Sequence, residues 1–272
     1  MSEKPSFSGL RFVYGEPVLL LRAKRSEWLV VGDIHIGAER RISDKGIRVY
    51  NLWEQMSRKL LSLAGTFSAK GLVLTGDIKD SILYPESWEQ NDIRRFAKSL
   101  SGLEVVALRG NHDAHIGEIM GIELKDELTL GDYALLHGNK WPSKEAMSKK
   151  VLITGHNHVA VRITDANGGV YSEKAWLIAS INTSNAKKFY ASSKAKSLIV
   201  MPAFNPLILG TPVGAERHDK DNISPLFRNG VFDYANADVY SIDGIYMGKV
   251  NSLSSSYEAL SRKTGKKKKL SP

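Results

Sequence analysis

Five times along this chain a short apolar run stops at a glycine or turn residue and gives way to acids, amides and histidines. Trp28–Val31 leads into Gly32-Asp33-Ile34-His35, Leu72–Leu74 into Thr75-Gly76-Asp77, and Val105–Leu108 into Arg109-Gly110-Asn111-His112-Asp113. Tyr133–Leu136 leads into His137-Gly138, and Val151–Ile153 into Thr154-Gly155-His156-Asn157-His158. These runs read as strands. Helices are expected between the first three: Tyr50–Ala64 spaces Leu52, Met56, Leu60 and Leu63 helically, and Glu86–Leu100 sets Ile93, Phe96, Ala97 and Leu100 on one face. Strand–helix–strand alternation implies right-handed crossovers and a largely parallel sheet. Ligands of such sheets lie beyond the carboxyl ends of the strands, and every polar cluster falls at that end.

Arg11–Tyr14 and Val18–Leu21, separated by Gly15-Glu16-Pro17, read as an opening hairpin. Past His158 the pattern becomes β, with Val159–Thr164, Ala175–Ala179 and Ser197–Val200, a turn at Asn167-Gly168-Gly169, and a hairpin of Val239–Ile242 with Ile245–Val250 around Asp243-Gly244. That half is expected to supply a second sheet packed on the first. Lys187–Lys196 and Arg217–Asn222 read as polar surface segments.

A length of 272 residues with 42% hydrophobic content suits one large α/β domain, taken as residues 1–255, followed by a basic tail at 256–272 expected to be disordered. No apolar run approaches the roughly 18 residues of a membrane span, and polar Met1–Ser8 does not resemble a secretory signal. The chain has no cysteine, which excludes disulfides, thiolate metal sites and cysteine nucleophiles. A cytoplasmic setting with no membrane partner is expected. Arg262, Lys263 and Lys266–Lys269 carry six positive charges, so without them the net charge falls from +9 to +3. That tail reads either as a solvated segment or as a loose, salt-sensitive contact for nucleic-acid phosphates.

The chain has seven histidines, five of them in the strand-end clusters beside Asp33, Asp77, Asn111 and Asp113. Divalent transition metals accept mixed imidazole and carboxylate shells, and a carboxylate shared between two ions about 3.5–4 Å apart lets both oxygens of a displacement be stabilised. Asp33 and His35 are two residues apart as the chain leaves a strand, and so are His156 and His158. Gly32, Gly76, Gly110 and Gly155 are read as letting the backbone turn sharply beside these side chains.

The order Asp33-x-His35, Gly76-Asp77, Gly110-Asn111-His112-Asp113, His137, Gly155-His156-x-His158 resembles the calcineurin-like metallophosphoesterase superfamily over Trp28 to about Thr164. The resemblance implies a four-layer α/β sandwich of two mixed β-sheets flanked by helices, and two divalent ions, manganese first, with iron, zinc or nickel as alternatives. It implies that Asp33, His35 and His158 hold one metal, Asn111, His137 and His156 the other, and that Asp77 bridges them. His112 then faces the substrate, and Asp80 is at the position that orients it. The metals generate a hydroxide nucleophile, and the expected reaction is hydrolysis of small, cyclic or nucleotide phosphodiesters. A finer resemblance is to archaeal SbcD-related and PdeM-like (DNA-ligase-associated) phosphoesterases, carried by Arg22-Ala23-Lys24-Arg25 and Met201–Leu207 with its Pro202-Ala203-Phe204-Asn205 segment.

Asp80 is followed by Ser81 and the third block closes on Asp113, which departs from protein Ser/Thr phosphatases. SbcD-type nucleases carry a further active-site histidine between the first two blocks, and none lies between His35 and His112 here. The alternatives are a DNA or RNA nuclease, favoured by the charge, and a non-catalytic protein-binding scaffold. His115 and His218 read as surface residues, with His115 near enough to approach the site. Asn205 lines the pocket or shapes a turn; Trp53, Tyr50 and Trp88 are core anchors or stacking platforms; Arg40, Arg41 and Arg48 reach substrate phosphate or solvent.

Overall fold

The computed structural model describes residues 7–23, 25–43, 46, 51–164, 167, 169–213 and 224–254, together with the backbone but not the side chain of Arg41. The expectations for Lys24, Arg48, Tyr50, Gly168, His218, the Arg217–Asn222 segment and the 256–272 tail lie outside them.

Six strands form the first sheet in sequence order: β1 (Leu10–Val13), β2 (Val18–Ala23), β3 (Ser26–Val31), β4 (Ala69–Leu74), β5 (Glu104–Leu108) and β6 (Leu124–Lys125). The first three pair antiparallel; β3 to β6 are parallel. A short α1 (Arg40–Ser43) and then α2 (Leu52–Phe67) connect β3 to β4, α3 (Ser87–Ser99) connects β4 to β5, and α4 (Ile116–Met120) follows β5. The apolar faces of α2 and α3 meet one side of the sheet: Met56, Leu60, Ile93 and Phe96 pack with Leu29, Val31, Leu72 and Leu74. Strand alternation sends Val30 and Val73 to the opposite side.

The second sheet begins earlier than the change of pattern past His158 suggested. Its strands are β7 (Glu127–Leu130), β8 (Tyr133–Leu136), β9 (Val151–Thr154), β10 (Val159–Thr164), β11 (Val170–Ser180), β12 (Ser197–Val200), β13 (Thr211–Pro212), β14 (Asp238–Ser241) and β15 (Tyr246–Lys249). They run in the order β13-β10-β11-β12-β9-β8-β7, with β14 pairing with β11 and with β15. The crossing falls at Asp126, where β6 ends a parallel edge and β7 opens an antiparallel hairpin with β8. A short apolar strand is equally compatible with either sheet, so its placement depends on pairing rather than pattern.

Leu19, Leu21, Val30, Val73 and Leu108 of the first sheet face Leu135, Ile153, Trp176, Ile199 and Met201 of the second or its edge. The far side of the second sheet is covered by α5 (Lys144–Met147), α6 (Thr183–Ala186) and α7 (Pro225–Arg228), which contribute Ala146, Met147, Ala186, Leu226 and Phe227 to a third apolar cluster. The architecture is therefore helices, sheet, sheet, helices, with both sheets mixed. No helix among the described residues is long and apolar enough to cross a membrane.

Candidate metal centre

The two sheets deliver their strand ends to one place. Asp33 and His35 follow β3, Asp77 follows β4, and Asn111 and His112 follow β5 of the first sheet; His137 follows β8, and His156 and His158 follow β9 of the second. One set of ligand atoms comes from Asp33, His35, Asp77 and His158, a second from Asp77, His137 and His156, each set lying within 4.8 Å. Asp77 belongs to both. Its Oδ2 lies 3.2 Å from His137 Nε2 and 3.8 Å from His35 Nε2, while its Oδ1 accepts from the His112 N–H at 2.9 Å. Asn111 Oδ1 joins the second set, 3.1 Å from His137 Nε2. Asp33, His35, Asp77, His137 and His156 are buried, whereas Asn111 is exposed and His112 and His158 are half-buried, so the centre opens on that side.

The backbone reaches this geometry differently from the turn-by-glycine expectation. Asp33, His35, Asp77, His156 and His158 themselves occupy the left-handed region, with φ between 41° and 68°. Non-glycine residues visit that region at a cost and cluster at functional sites when they do. Ladder bonds hold the conformation: His35 N–H donates to the Asp77 carbonyl, Ile36 to Ile78, and Asp80 back to Ile36, at 2.8–2.9 Å. Of the four glycines, only Gly76 has positive φ, at 99°. The others supply space. A Cβ on Gly110 would sit 2.2 Å from Asp77 N and Oδ1, and one on Gly155 would sit 2.6 Å from Asp33 Oδ2.

Hydrogen bonding sets the histidine tautomers. A carbonyl only accepts, so His137 Nδ1 carries the proton it donates to the Thr75 carbonyl at 2.9 Å. Neutral His137 then turns a lone pair, on Nε2, towards Asp77 Oδ2, Asn111 Oδ1 and His156 Nδ1, the last at 3.0 Å. His35 differs: its Nδ1 lies 3.3 Å from Asp80 Oδ1 without forming a hydrogen bond, so its tautomer is not set in this way, while Nε2 lies 3.2 Å from His158 Nε2. Lone pairs converging on two points require protons or cations there, and the imidazole, carboxylate and amide donor set suits divalent transition ions. These residues fit two metals.

The electrostatics agree. Burial pushes Asp33 up, but the charge and hydrogen bond of His158 and the charge of His137 outweigh it and hold the carboxyl below its usual range. Asp77 is likewise driven well down against burial, chiefly by its hydrogen bond and charge interaction with His137. His137 is raised despite burial by Asp77 and Asp33, whereas burial and the neighbouring His137 push His156 down.

A calcineurin-like phosphoesterase family model matches residues 28–248. The chain belongs to that family. This calcineurin-like phosphoesterase is accordingly a metal-dependent phosphoester hydrolase, of a family whose centre is dinuclear. It is similar in structure to the nuclease MPE of Pseudomonas putida, at TM-score 0.53 and 17% identity over 87% of this chain and 98% of that one. It is also similar to Yfce, a phosphoesterase from E. coli, at TM-score 0.37 and 16% identity over 82% and 97% of the two chains. A comparison with curated protein sequences returns no match.

The remaining residues are now placed. His112 lies outside the two ligand sets, its Nε2 4.0 Å from Asp77 Oδ2. Its Nδ1 donates at 2.6 Å to the backbone carbonyl of Asp80, whose carboxylate faces His35. Asp113 is wholly buried and accepts from Ile78 N–H and Gly110 N–H, both at 2.8 Å, tying the second and third blocks together. Asn205 is a bracket. It is fully buried, its Nδ2 donates to the Ile34 and His35 carbonyls, and its Oδ1 accepts from Leu207 N–H.

Lys174, unnoticed in the sequence, secures that bracket by donating from β11 to the Ala203 and Asn205 carbonyls, both at 2.6 Å. Burial lowers it to about 8. A lone lysine in an alternating strand gives no sign of this. Trp53 is core, Trp88 is half-buried with the Arg40 guanidinium 5.5 Å from its ring, and exposed His115 lies against Tyr84.

Proposed function

We propose that this protein is a phosphodiesterase acting on small, cyclic or nucleotide diesters, with Asp33, His35 and His158 holding one ion, Asn111, His137 and His156 the second, and Asp77 shared. The observation that carries this reading is the convergence of both ligand sets on Asp77 Oδ2. Bound there, two ions, Mn²⁺ first, would supply an activated water at neutral pH and neutralise phosphoryl charge. The chain's own contributions are positional. Asp77 Oδ1 and the His112 N–H fix each other, and the Asp80 carbonyl fixes the proton on His112 Nδ1. A second proton, on Nε2 of the imidazolium, is then the one available to a leaving oxygen at the open side. Orientation by the Asp80 carbonyl leaves its carboxylate to steady His35, so one residue supports acid and ligand together.

Preference for diesters over monoesters rests on the sequence resemblance to SbcD-related and PdeM-like proteins. In the same reading residues 1–255 form one domain, residues 256–272 a basic tail, and the protein works in the cytoplasm. The test is hydrolysis of bis(p-nitrophenyl) phosphate by chelator-stripped protein, with and without Mn²⁺. Restoration by metal supports the reading; no turnover with two metals bound overturns it. The formal charge of +9 favours a nuclease as the second reading. Labelled DNA left intact where the small diester is cleaved would remove it.

A further inference from the structure

Two to four residues past Asp80, the chain exposes three consecutive large apolar residues: Ile82 at 66%, Leu83 at 80% and Tyr84 at 59%. Their loop begins at Asp80, whose carbonyl holds His112. It is firmly built. The side chain of Lys79 is fully buried and donates to the carbonyls of Ser81 and Leu83, the latter at 2.9 Å. Buried Glu89 accepts from the Ser81 N–H at 3.2 Å, and Pro85 is buried behind the tip. Burying an ammonium is costly unless it is hydrogen-bonded, and here two carbonyls of the loop meet it. Here that cost fixes a tip that gains nothing from the core. Across from it stands His115, three residues beyond His112, with its ring 5.0 Å from that of Tyr84 at an interplanar angle of 65°.

We propose that Ile82, Leu83, Tyr84 and His115 form a ledge that receives a planar aromatic group carried on the leaving side of the phosphate, a nucleobase being the natural case. The inference deepens the phosphodiesterase reading and rests on it for the placing of the phosphate. His112 defines the leaving side, and both segments of the ledge spring directly from it and from the residue that holds it. Rigid exposed apolar surface next to a charged centre suits a ligand that is charged at one end and flat at the other. Lys79 is a positioning residue for the tip.

Calorimetric binding of thymidine 5′-monophosphate and of inorganic phosphate to the Mn²⁺-loaded full chain tests this without relying on turnover. The wild type is expected to bind the nucleotide more tightly than phosphate. Tyr84→Ala should reduce that advantage by roughly five- to a hundredfold, the range stacking supports. Tyr84→Phe should retain it, and phosphate affinity and metal content should stay unchanged in both variants. A wild type without the advantage, or Tyr84→Ala that keeps it, or one that loses phosphate affinity equally, overturns the ledge. A wild type that shows the advantage, loses it on Tyr84→Ala and cleaves no diester supports the ledge and refutes the activity proposed above.

Discussion

Gly110→Ala tests whether the centre is held by space rather than by backbone freedom. Gly110 does not adopt positive φ, so alanine carries no conformational penalty there. Its Cβ, however, would lie 2.2 Å from Asp77 N and Oδ1 and 2.9 Å from Asp113 Oδ2, where ordinary contact begins at 3.4 Å. The nearest obstacle is backbone, which cannot rotate away, so one loop must shift by about 1 Å. Such overpacking costs about 1–3 kcal/mol of stability. The functional loss should be larger. Metal ligands tolerate displacements of about 0.2 Å, and a 1 Å misplacement costs on the order of 10²-fold in rate. We expect bound metal to fall below two per chain and kcat/KM on bis(p-nitrophenyl) phosphate to drop about a hundredfold. Gly102→Ala, where nothing lies within 4 Å, serves as the control. A Gly110→Ala protein with two metals and kcat/KM within threefold of the control would refute the reasoning.

Further outcomes separate the roles of individual residues. Asp77→Asn should lower the content of both metals and nearly abolish turnover, whereas His112→Asn should keep two metals and lose about 10²–10⁴-fold in kcat; one metal lost from the latter would make His112 a ligand. Asp80→Ala leaves a backbone carbonyl for His112 but removes the carboxylate beside His35, so metal affinity should weaken about 10–100-fold, measured by competition with a chelator. Unchanged affinity with a lower kcat would return the carboxylate to His112. His137 is raised above the usual imidazole range in the metal-free centre, so a bound ion must displace its proton. Mn²⁺ affinity should therefore increase with pH until that raised pKa is passed and fall in acid. Titration calorimetry in two buffers of different ionisation heat should show proton release at pH 7, and none would contradict the assignment.

The pattern of apolar runs ending in His, Asp and Asn is local, and it was legible because strand ends and helical spacing depend on neighbouring residues. It located β3, β4, β5, β8 and β9, helices α2 and α3, and every side chain that gathers at the centre. Pairing across long stretches of chain was not legible. Nothing in Tyr133–Leu136 tells which sheet it joins, yet its membership of the second sheet makes the centre a junction between sheets. The glycines were visible but their purpose was not, because the atoms that forbid a Cβ at Gly110 and Gly155 come from other loops. Lys79 and Lys174 read as ordinary polar residues and Asn205 as a pocket or turn residue, since burial and three-dimensional hydrogen bonding alone turn a lysine or an amide into a brace. The sequence by itself determined the donor chemistry, which is a property of residue type. Only the tertiary structure decided which oxygen of Asp77 is shared, which nitrogen of His35 and of His137 faces it, and that Asp80 holds His112 by its carbonyl, because those depend on distances that the order of residues does not contain.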